Sequence, residues 1–421
     1  MRVRVNHERA ARRPAGCAGL AAAALLIACS SPKQAADPVV DEGNFAAGGG
    51  GTATAPGSAR AGSGGSAANA STSGRGGGAG TSAGGASGAS GTSAAGAGAG
   101  VAGTAPDPDG GAPVGMARGT GPGDYRPGDY PPGLEEETYL EISGVAGQGD
   151  YVRQYKVHVP PGYDPNVPTP AVFCIHGLGQ TAVLFCVTGA AMHTKSDQAG
   201  FILIMPNGYS NSWNAGTCCG AASDEQLDEV ALFRAIFAEV GKHVNIDLDR
   251  VYATGLSNGG YMSFRLACEA ADIFTAVSPG AAALGINEIG GGTNPASNFV
   301  ACMPSRPVSL LQIHGTADPL IPYSLQQPSL ALMAMRNGCA TTTRPATMPA
   351  SAGDTKCVSY DGCPAGIELT GCTIEEGGHC WFGSPDCGTG GGDIGLAIVG
   401  NNSDTMRNTD AAWSFFAARS R

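Results

Sequence analysis

Short apolar runs alternate with amphipathic segments over the C-terminal part of this chain. Two uninterrupted runs, 171–175 and 201–205, are typical of strands buried on both faces of a parallel sheet. Segment 228–244 carries its apolar residues at helical spacing, whereas 151–159 alternates polar and apolar residues and predicts a half-exposed antiparallel edge strand. Further strands are predicted at 250–254, 274–279, 308–313 and 367–374, with a closing helix at 409–418. Alternating strands and helices predict an α/β fold, with a mostly parallel central sheet flanked by helices.

The N-terminus has a different pattern, which predicts a signal peptide over residues 1–28. Five arginines precede the apolar stretch Ala18–Ala28, which is too short to span a bilayer as a stable helix. The motif Leu26-Ile27-Ala28-Cys29 resembles the lipobox of bacterial lipoproteins. That resemblance implies cleavage before Cys29 and lipidation of its thiol. An ordinary secretory signal with a coincidental cysteine is the alternative.

Residues 29–118 show no hydrophobic period. They consist almost wholly of Gly, Ala, Ser and Thr and carry little charge, so burial cannot offset the entropy lost on ordering. The composition predicts a disordered tether, whose root-mean-square span is roughly 50 Å if about 80 residues form a Gly-rich coil. The remainder, 119–421, suits a single large α/β domain.

Charge and cysteine content narrow the function classes. With 24 basic against 35 acidic residues, the chain lacks the positive charge that nucleic acids or anionic membranes require. An even number of cysteines behind an export signal predicts disulfides in an oxidising compartment, and the absence of a C-x-x-C pair argues against a metal site. Connectivity stays open, with Cys268–Cys302 and pairings within 339–387 as possibilities. The twelve cysteines of the predicted domain are Cys174, Cys186, Cys218, Cys219, Cys268, Cys302, Cys339, Cys357, Cys363, Cys372, Cys380 and Cys387.

The run Gly255-Leu256-Ser257-Asn258-Gly259 lies between a predicted strand and a predicted helix. A serine on such a turn is the nucleophile elbow of α/β-hydrolases, in which the hydroxyl stands exposed above the sheet. A serine that merely caps the following helix is the alternative. The oxyanion hole of this fold would use the N–H of Asn258 together with that of Leu178, in the loop after strand 171–175.

A serine hydroxyl needs a base to take its proton and a carboxylate to orient that base. In this fold the chain order is serine, acid, histidine, which Ser257, Asp318 and His379 satisfy, each just past a predicted strand. Asp318 could instead cap a turn before Pro319. Six other histidines compete with His379, but they fail by position or chain order: His7, His158, His176, His193, His243 and His314. Trp213 and Trp381 are candidates to stack on a substrate, with burial in the core as the alternative.

These motifs together resemble the secreted esterases grouped as polyhydroxybutyrate depolymerases and feruloyl or acetylxylan esterases. The resemblance implies hydrolysis of carboxylic esters by Ser257, Asp318 and His379 without cofactor or metal. It departs from the family at Leu178, where a cysteine is common, and at Cys380, where a small or polar residue is common. The matching stretches are 155–163, 175–180, 213–219, 246–268, 314–318, 337–339, 360–363 and 377–381.

The sequence therefore predicts an exported serine carboxylesterase, anchored to the cell envelope by lipid or secreted. We expect a monomer that binds an ester substrate, with polymers among the candidates. It should contact the membrane through its anchor alone and bind no nucleic acid. Polyhydroxyalkanoate-type polyesters are the leading substrate class, and feruloyl or acetyl esters of plant cell walls are the alternative. Segment 280–299 is predicted to be a mobile rim loop. A non-catalytic surface binding lipoprotein and, more remotely, a metallohydrolase are the competing functions.

Overall fold

The computed structural model describes residues 139–286, 301–346, 348, 353, 355–389 and 399–421. The predicted signal peptide, Cys29, the tether and the start of the predicted domain at 119–138 lie outside the described residues. So do residues 287–299 of the predicted rim loop.

Ten strands of the described part form one sheet, in the order β1-β2-β4-β3-β5-β6-β7-β10-β9-β8. The six central strands, from β4 to β10, pair in parallel, which confirms the predicted parallel centre. The strand bounds are β1 Leu140–Ile142, β2 Arg153–His158, β3 Thr169–Ile175, β4 Ile202–Pro206, β5 Ile246–Leu256, β6 Ala276–Gly280, β7 Ser309–Gly315, β8 Thr343–Pro345, β9 Thr355–Tyr360 and β10 Leu369–Ile374.

The sequence prediction of a half-exposed edge strand over 151–159 was wrong in its position and its burial. β2 is antiparallel to both its neighbours, as expected, but β1 covers it on the outer side. The side chains of β2 are mostly buried rather than half exposed, because β1 and a helix cover its polar positions as well as its apolar ones. One of these, Arg153, forms an ion pair of 3.1 Å with the equally buried Glu229. Burial raises the pKa of the Glu229 carboxyl, while Arg153 acts in the opposite direction.

Helices cover both faces of the sheet. On one face, Phe233 of the predicted amphipathic helix packs on Phe173 of β3, and the Asp228 carboxylate caps that helix by accepting the N–H of Ala231 at 3.0 Å. On the other face, the closing helix stacks Phe416 on Tyr252 of β5. The helices are α1 Met192–Ala199, α2 Ala221–Asp224, α3 Glu229–Val240, α4 Asn258–Glu269, α5 Gln326–Asn337 and α6 Asn408–Ala417, with a π-helix at Val183–Gly189 and a 3-10 turn at Tyr323–Leu325.

All twelve cysteines of the described residues are paired. The pair Cys268–Cys302 was a stated possibility and is confirmed. Three further pairs lie within 339–387, as expected, and they hold the last strands and the loop after β10. The six disulfides are Cys174–Cys186, Cys218–Cys219, Cys268–Cys302, Cys339–Cys363, Cys357–Cys372 and Cys380–Cys387. Such density is typical of proteins from oxidising compartments.

Two features are absent from the described residues. None of their helices combines the length and apolar character that crossing a membrane requires. Nor do their His, Cys, Asp and Glu side chains gather in groups of three or more that could hold a metal ion.

Candidate active site

Ser257 occupies a sharp turn between β5 and α4. Its backbone has φ 56° and ψ −123°, a conformation that a non-glycine residue adopts only when its surroundings enforce it. The turn is tight because Gly255 and Gly259 lie against β3: a Cβ on either would approach the Ile175 carbonyl oxygen to 2.5 Å or 2.1 Å. The sequence therefore leaves the serine partly exposed at the carboxyl edge of the parallel strands, with the start of α4 behind it.

Asp318 and His379 meet at the same edge of the sheet. Asp318 follows β7 and His379 follows β10, and these two strands pair in parallel. The His379 Nδ1–H donates to Asp318 Oδ2 over 2.8 Å, and both side chains are almost fully buried. This bond leaves Nε2 of His379 as the ring nitrogen available to accept a proton.

The Asp318 carboxylate is held in its ionised form. Its Oδ1 accepts the backbone N–H groups of Leu320 and Ile321, each at 2.8 Å. Burial disfavours the charge, but the attraction of His379 and the hydrogen bonds from His314 and His379 outweigh it, so the pKa of Asp318 lies well below its usual range. The group can therefore act as a permanent acceptor for an imidazolium.

His314 is a second histidine on this carboxylate, and sequence reasoning did not assign it a role. It belongs to β7, is fully buried, and its Nε2 lies 3.1 Å from both Asp318 Oδ2 and the carbonyl oxygen of Ile321. Chain order excluded His314 as the base, but chain order does not exclude a supporting contact with the acid. The sequence feature that could have indicated this contact is the spacing of four residues between His314 and Asp318, across a turn.

The Ser257 hydroxyl makes no hydrogen bond to the described residues. The loop that carries His379 nevertheless lies close: Ser257 N–H donates to the Gly280 carbonyl at 3.0 Å, and a Cβ on Gly280 would lie 3.2 Å from Trp381. Bonds between a nucleophile and its base are often long before substrate binds. The geometry thus joins Asp318 and His379 directly, and the Ser257 turn reaches the His379 loop through Gly280 and Trp381.

The loop after β3 is fixed around a neutral histidine. The His176 Nδ1–H donates to the Gly177 carbonyl at 2.8 Å, and Nε2 accepts the Gly208 N–H at 2.9 Å, so the partners define one tautomer. Burial is the main reason that the pKa of His176 falls to about 4. Because the Gly177 carbonyl belongs to the same peptide unit as the Leu178 N–H, His176 sets the direction of that N–H.

The two predicted oxyanion donors, Leu178 and Asn258, flank Ser257. A Cβ on Gly177 would lie 3.5 Å from the Ser257 Cβ, so the loop that carries Leu178 lies against the Ser257 turn. The Leu178 N–H has no acceptor among the described residues, and Asn258 begins α4, where backbone N–H groups lack intrahelical partners. Their role in catalysis stays a prediction.

Both tryptophans lie in the interior. Trp213 is fully buried and donates its indole N–H to the His176 carbonyl at 2.9 Å. Its backbone is also paired with the Asn258 side chain, whose Oδ1 accepts the Trp213 N–H at 2.7 Å. Trp381 is 2% exposed and donates its indole N–H to Thr409 at 2.9 Å. The structure gives both a supporting position, and their contact with substrate stays a prediction.

Several known proteins similar to this chain are described as esterases. Residues 151–287 match the model of the family described as "Putative esterase". Feruloyl esterase B of Piromyces equi is 27% identical over 54% of this chain, and the chain spans only 42% of that protein. Feruloyl esterase C of Emericella nidulans is 27% identical over 63% of the chain and 84% of its own length. A solved acetyl xylan esterase from Aspergillus awamori is 15% identical, with a TM-score of 0.41 over 57% of this chain and 93% of its own.

The family match ends at residue 287, so it includes the Ser257 turn and the loop after β3 but neither Asp318 nor His379. The relatives extend the similarity over more than half of the chain. Together with the parallel sheet and its serine turn, the matches in sequence identify the chain as an ester hydrolase with an α/β-hydrolase fold.

Proposed function

We propose that the chain is a serine carboxylesterase in which Ser257 is the nucleophile, His379 the general base and Asp318 the group that orients the base. The observation that carries this proposal is the 2.8 Å bond from His379 Nδ1 to Asp318 Oδ2, at the sheet edge where Ser257 stands on its strained turn. Leu178 and Asn258 supply the oxyanion N–H groups.

The reaction proceeds in two halves. The Ser257 hydroxyl attacks the ester carbonyl as its proton passes to His379 Nε2, and the Asp318 carboxylate stabilises the resulting imidazolium. The two N–H groups hold the oxyanion, and the imidazolium then protonates the departing alcohol. Water, deprotonated by the same base, releases the acid and restores the serine. Water is the only co-substrate, so the reaction balances without a cofactor.

For the substrate, we propose first the feruloyl-type esters of plant cell walls, since several of the similar proteins are feruloyl esterases. Polyhydroxyalkanoate-type polyesters are the competing class, because the motifs of the chain resemble depolymerases equally. Parallel assays on methyl ferulate, acetylated xylan and short-chain polyhydroxybutyrate would rank them by kcat/KM. A preference of at least about tenfold for the polyester would overturn the feruloyl assignment.

The nucleophile is tested by Ser257→Ala. We expect turnover of p-nitrophenyl acetate to fall by about 10⁴-fold or more with an unchanged Tm, because the substitution removes the attacking oxygen and no hydrogen bond. A fluorophosphonate probe should label the folded wild type at Ser257 and leave the variant unlabelled. Activity that survives in Ser257→Ala would show that another residue is the nucleophile.

We also propose that the enzyme is exported and that Cys29 carries a lipid anchor, with residues 29–118 as the tether. The six disulfides support an oxidising compartment. Radiolabelled palmitate should enter the wild type but not Cys29→Ala. Equal labelling of both proteins would contradict the anchor.

A further inference from the structure

Gln180 connects two loops of the site that are far apart in the chain. Its Oε1 accepts the Gly177 N–H at 2.8 Å, and its Nε2 donates to the Gly388 carbonyl at 2.6 Å. Since one partner is a donor and the other an acceptor, the amide has a single orientation that satisfies both. Gln180 is 8% exposed, so neither bond competes much with water.

The first of these bonds acts on the oxyanion side. The Gly177 N–H belongs to the peptide unit just before the one that carries the Leu178 N–H. The carbonyl of that same earlier unit, on His176, accepts the Trp213 indole at 2.9 Å. The unit is thus held at both ends, and Gln180 supplies one of the two restraints.

The second bond acts on the loop that carries the base. Gly388 directly follows Cys387, whose disulfide to Cys380 closes a ring beginning one residue after His379. Gly388 is also packed into the site: a Cβ on it would lie 2.8 Å from Trp381 and 3.6 Å from Leu256, the residue before Ser257. Movement of Gly388 would therefore be transmitted to both the base loop and the nucleophile turn.

We propose that Gln180 is a positioning residue that couples the oxyanion loop to the loop of the catalytic base. The inference rests on the proposed function of Leu178 and His379. Gln180 touches no reacting atom. It fixes the position of the Leu178 N–H relative to His379, so that both groups can contact the same tetrahedral intermediate.

The main test is Gln180→Leu, which keeps the approximate size of the side chain and removes both bonds. We expect kcat on p-nitrophenyl acetate to fall by about 10- to 100-fold with KM changed less than about threefold, since misplaced oxyanion donors weaken transition-state binding. The inhibition constant of an alkyl boronic acid, whose serine adduct is tetrahedral, should rise by at least about tenfold. Gln180→Asn, which is too short to reach both partners, should not restore activity.

Gln326 offers a matched control. It is also buried, donating Nε2–H to the Cys372 carbonyl at 3.0 Å and accepting the Thr373 hydroxyl at 3.2 Å, but it links α5 to β10. Gln326→Leu should lower Tm by a similar amount while kcat and the boronic acid affinity stay near wild type. Equal losses of activity in both variants would mean that Gln180 serves only stability and would overturn the proposal.

The effect of Gln180→Glu on activity should depend on pH. An ionised carboxylate can still accept the Gly177 N–H but repels the Gly388 carbonyl, whereas a protonated one can satisfy both. Because burial favours the protonated form, the ratio of variant to wild-type kcat/KM should rise as the pH falls from about 8 to 5. A constant ratio would contradict a role for the Gly388 bond.

Amide hydrogen exchange tests the coupling without relying on activity. Gln180→Leu should speed exchange both in 176–180 and in 380–388, although the substitution lies in only one of these segments. Faster exchange in the first segment alone would overturn the coupling. Failure of the wild type to react with a fluorophosphonate would instead reject the proposed esterase mechanism, and the exchange result would still decide the coupling.

Discussion

The two sides of the candidate site are held by different physical means. On the acid–base side, an ionised carboxylate accepts bonds from two histidines, at 2.8 Å and 3.1 Å, and from two backbone N–H groups. On the oxyanion side, a neutral His176 and the amide of Gln180 fix peptide units through uncharged hydrogen bonds. The hydrogen bonds that hold the acid–base side thus involve a charged group, whereas those from His176 and Gln180 join uncharged groups. Substitutions on the two sides should consequently differ in size and in pH dependence.

Asp318→Asn should have the largest effect of the substitutions that compare the two sides. An amide cannot stabilise the imidazolium and favours the wrong tautomer of His379, so we expect kcat to fall by roughly 10³- to 10⁴-fold. Steady-state kinetics on p-nitrophenyl acetate would measure this loss. Asp272→Asn, at an exposed pair with Arg234, is the matched control and should keep full activity. A loss below about tenfold in Asp318→Asn would remove the acid from its proposed role.

His176→Leu should have the next largest effect. It frees the Gly177 carbonyl and so releases the peptide that carries the Leu178 N–H, for which we expect kcat/KM to fall by about 100-fold. Unlike the loss in Asp318→Asn, this loss should be nearly independent of pH from about 6 to 8, because His176 stays neutral there. His243→Gln, on a half-buried surface histidine, is the control.

The same histidine predicts how stability depends on pH. Burial keeps the pKa of His176 at about 4, against 6.5 for the free side chain, so only the unfolded chain takes up the proton between these values. The neutral His176 therefore contributes about 3 kcal/mol above pH 6.5, which is lost as the pH falls toward 4. Urea unfolding at several pH values should show this slope in the wild type and a smaller one in His176→Leu. Identical slopes in the two proteins would mean that His176 titrates normally.

His314→Gln should have the smallest effect. It weakens one of the bonds on Asp318 and leaves the bond to His379 intact, so we expect kcat/KM to fall by no more than about tenfold. The free energy of unfolding should fall by about 1–3 kcal/mol, because His314 is fully buried against a charge. A loss as large as that of Asp318→Asn would mean that the two histidines act as one unit.

The parts of the molecule that were predictable from sequence are those with a strong local signal. The turn at Ser257 was predicted because its strand, its glycines and its helix are adjacent in the chain. The pairing of Asp318 with His379 followed from a chain order that the fold imposes. Strands β8 and β9 were not predicted, because neither has an apolar run of its own: β8 is exposed and pairs with β9, and β9 in turn pairs with β10.

The supporting contacts were beyond sequence reasoning for a similar reason. Gln180 and Gly388 are 208 residues apart, and nothing in either local pattern indicates that they meet. His176 and His314 both come at a strand end and precede a glycine, but this local pattern assigned neither of them a supporting role. The hydrogen-bond partners of the two histidines lie on loops whose conformations are defined only in the folded structure.

The contacts that hold the His379 loop have a consequence for truncated forms of the protein. His379 is seated by residues about twenty positions later in the chain, since its N–H donates to the Val399 carbonyl at 2.6 Å, and Gly378 is bonded to Asn401. A polypeptide that stops before residue 399 can form the Ser257 turn but lacks the groups that fix the backbone of His379. Under the proposed mechanism, truncation before residue 399 would therefore abolish activity, although Ser257, Asp318 and His379 would all still be present.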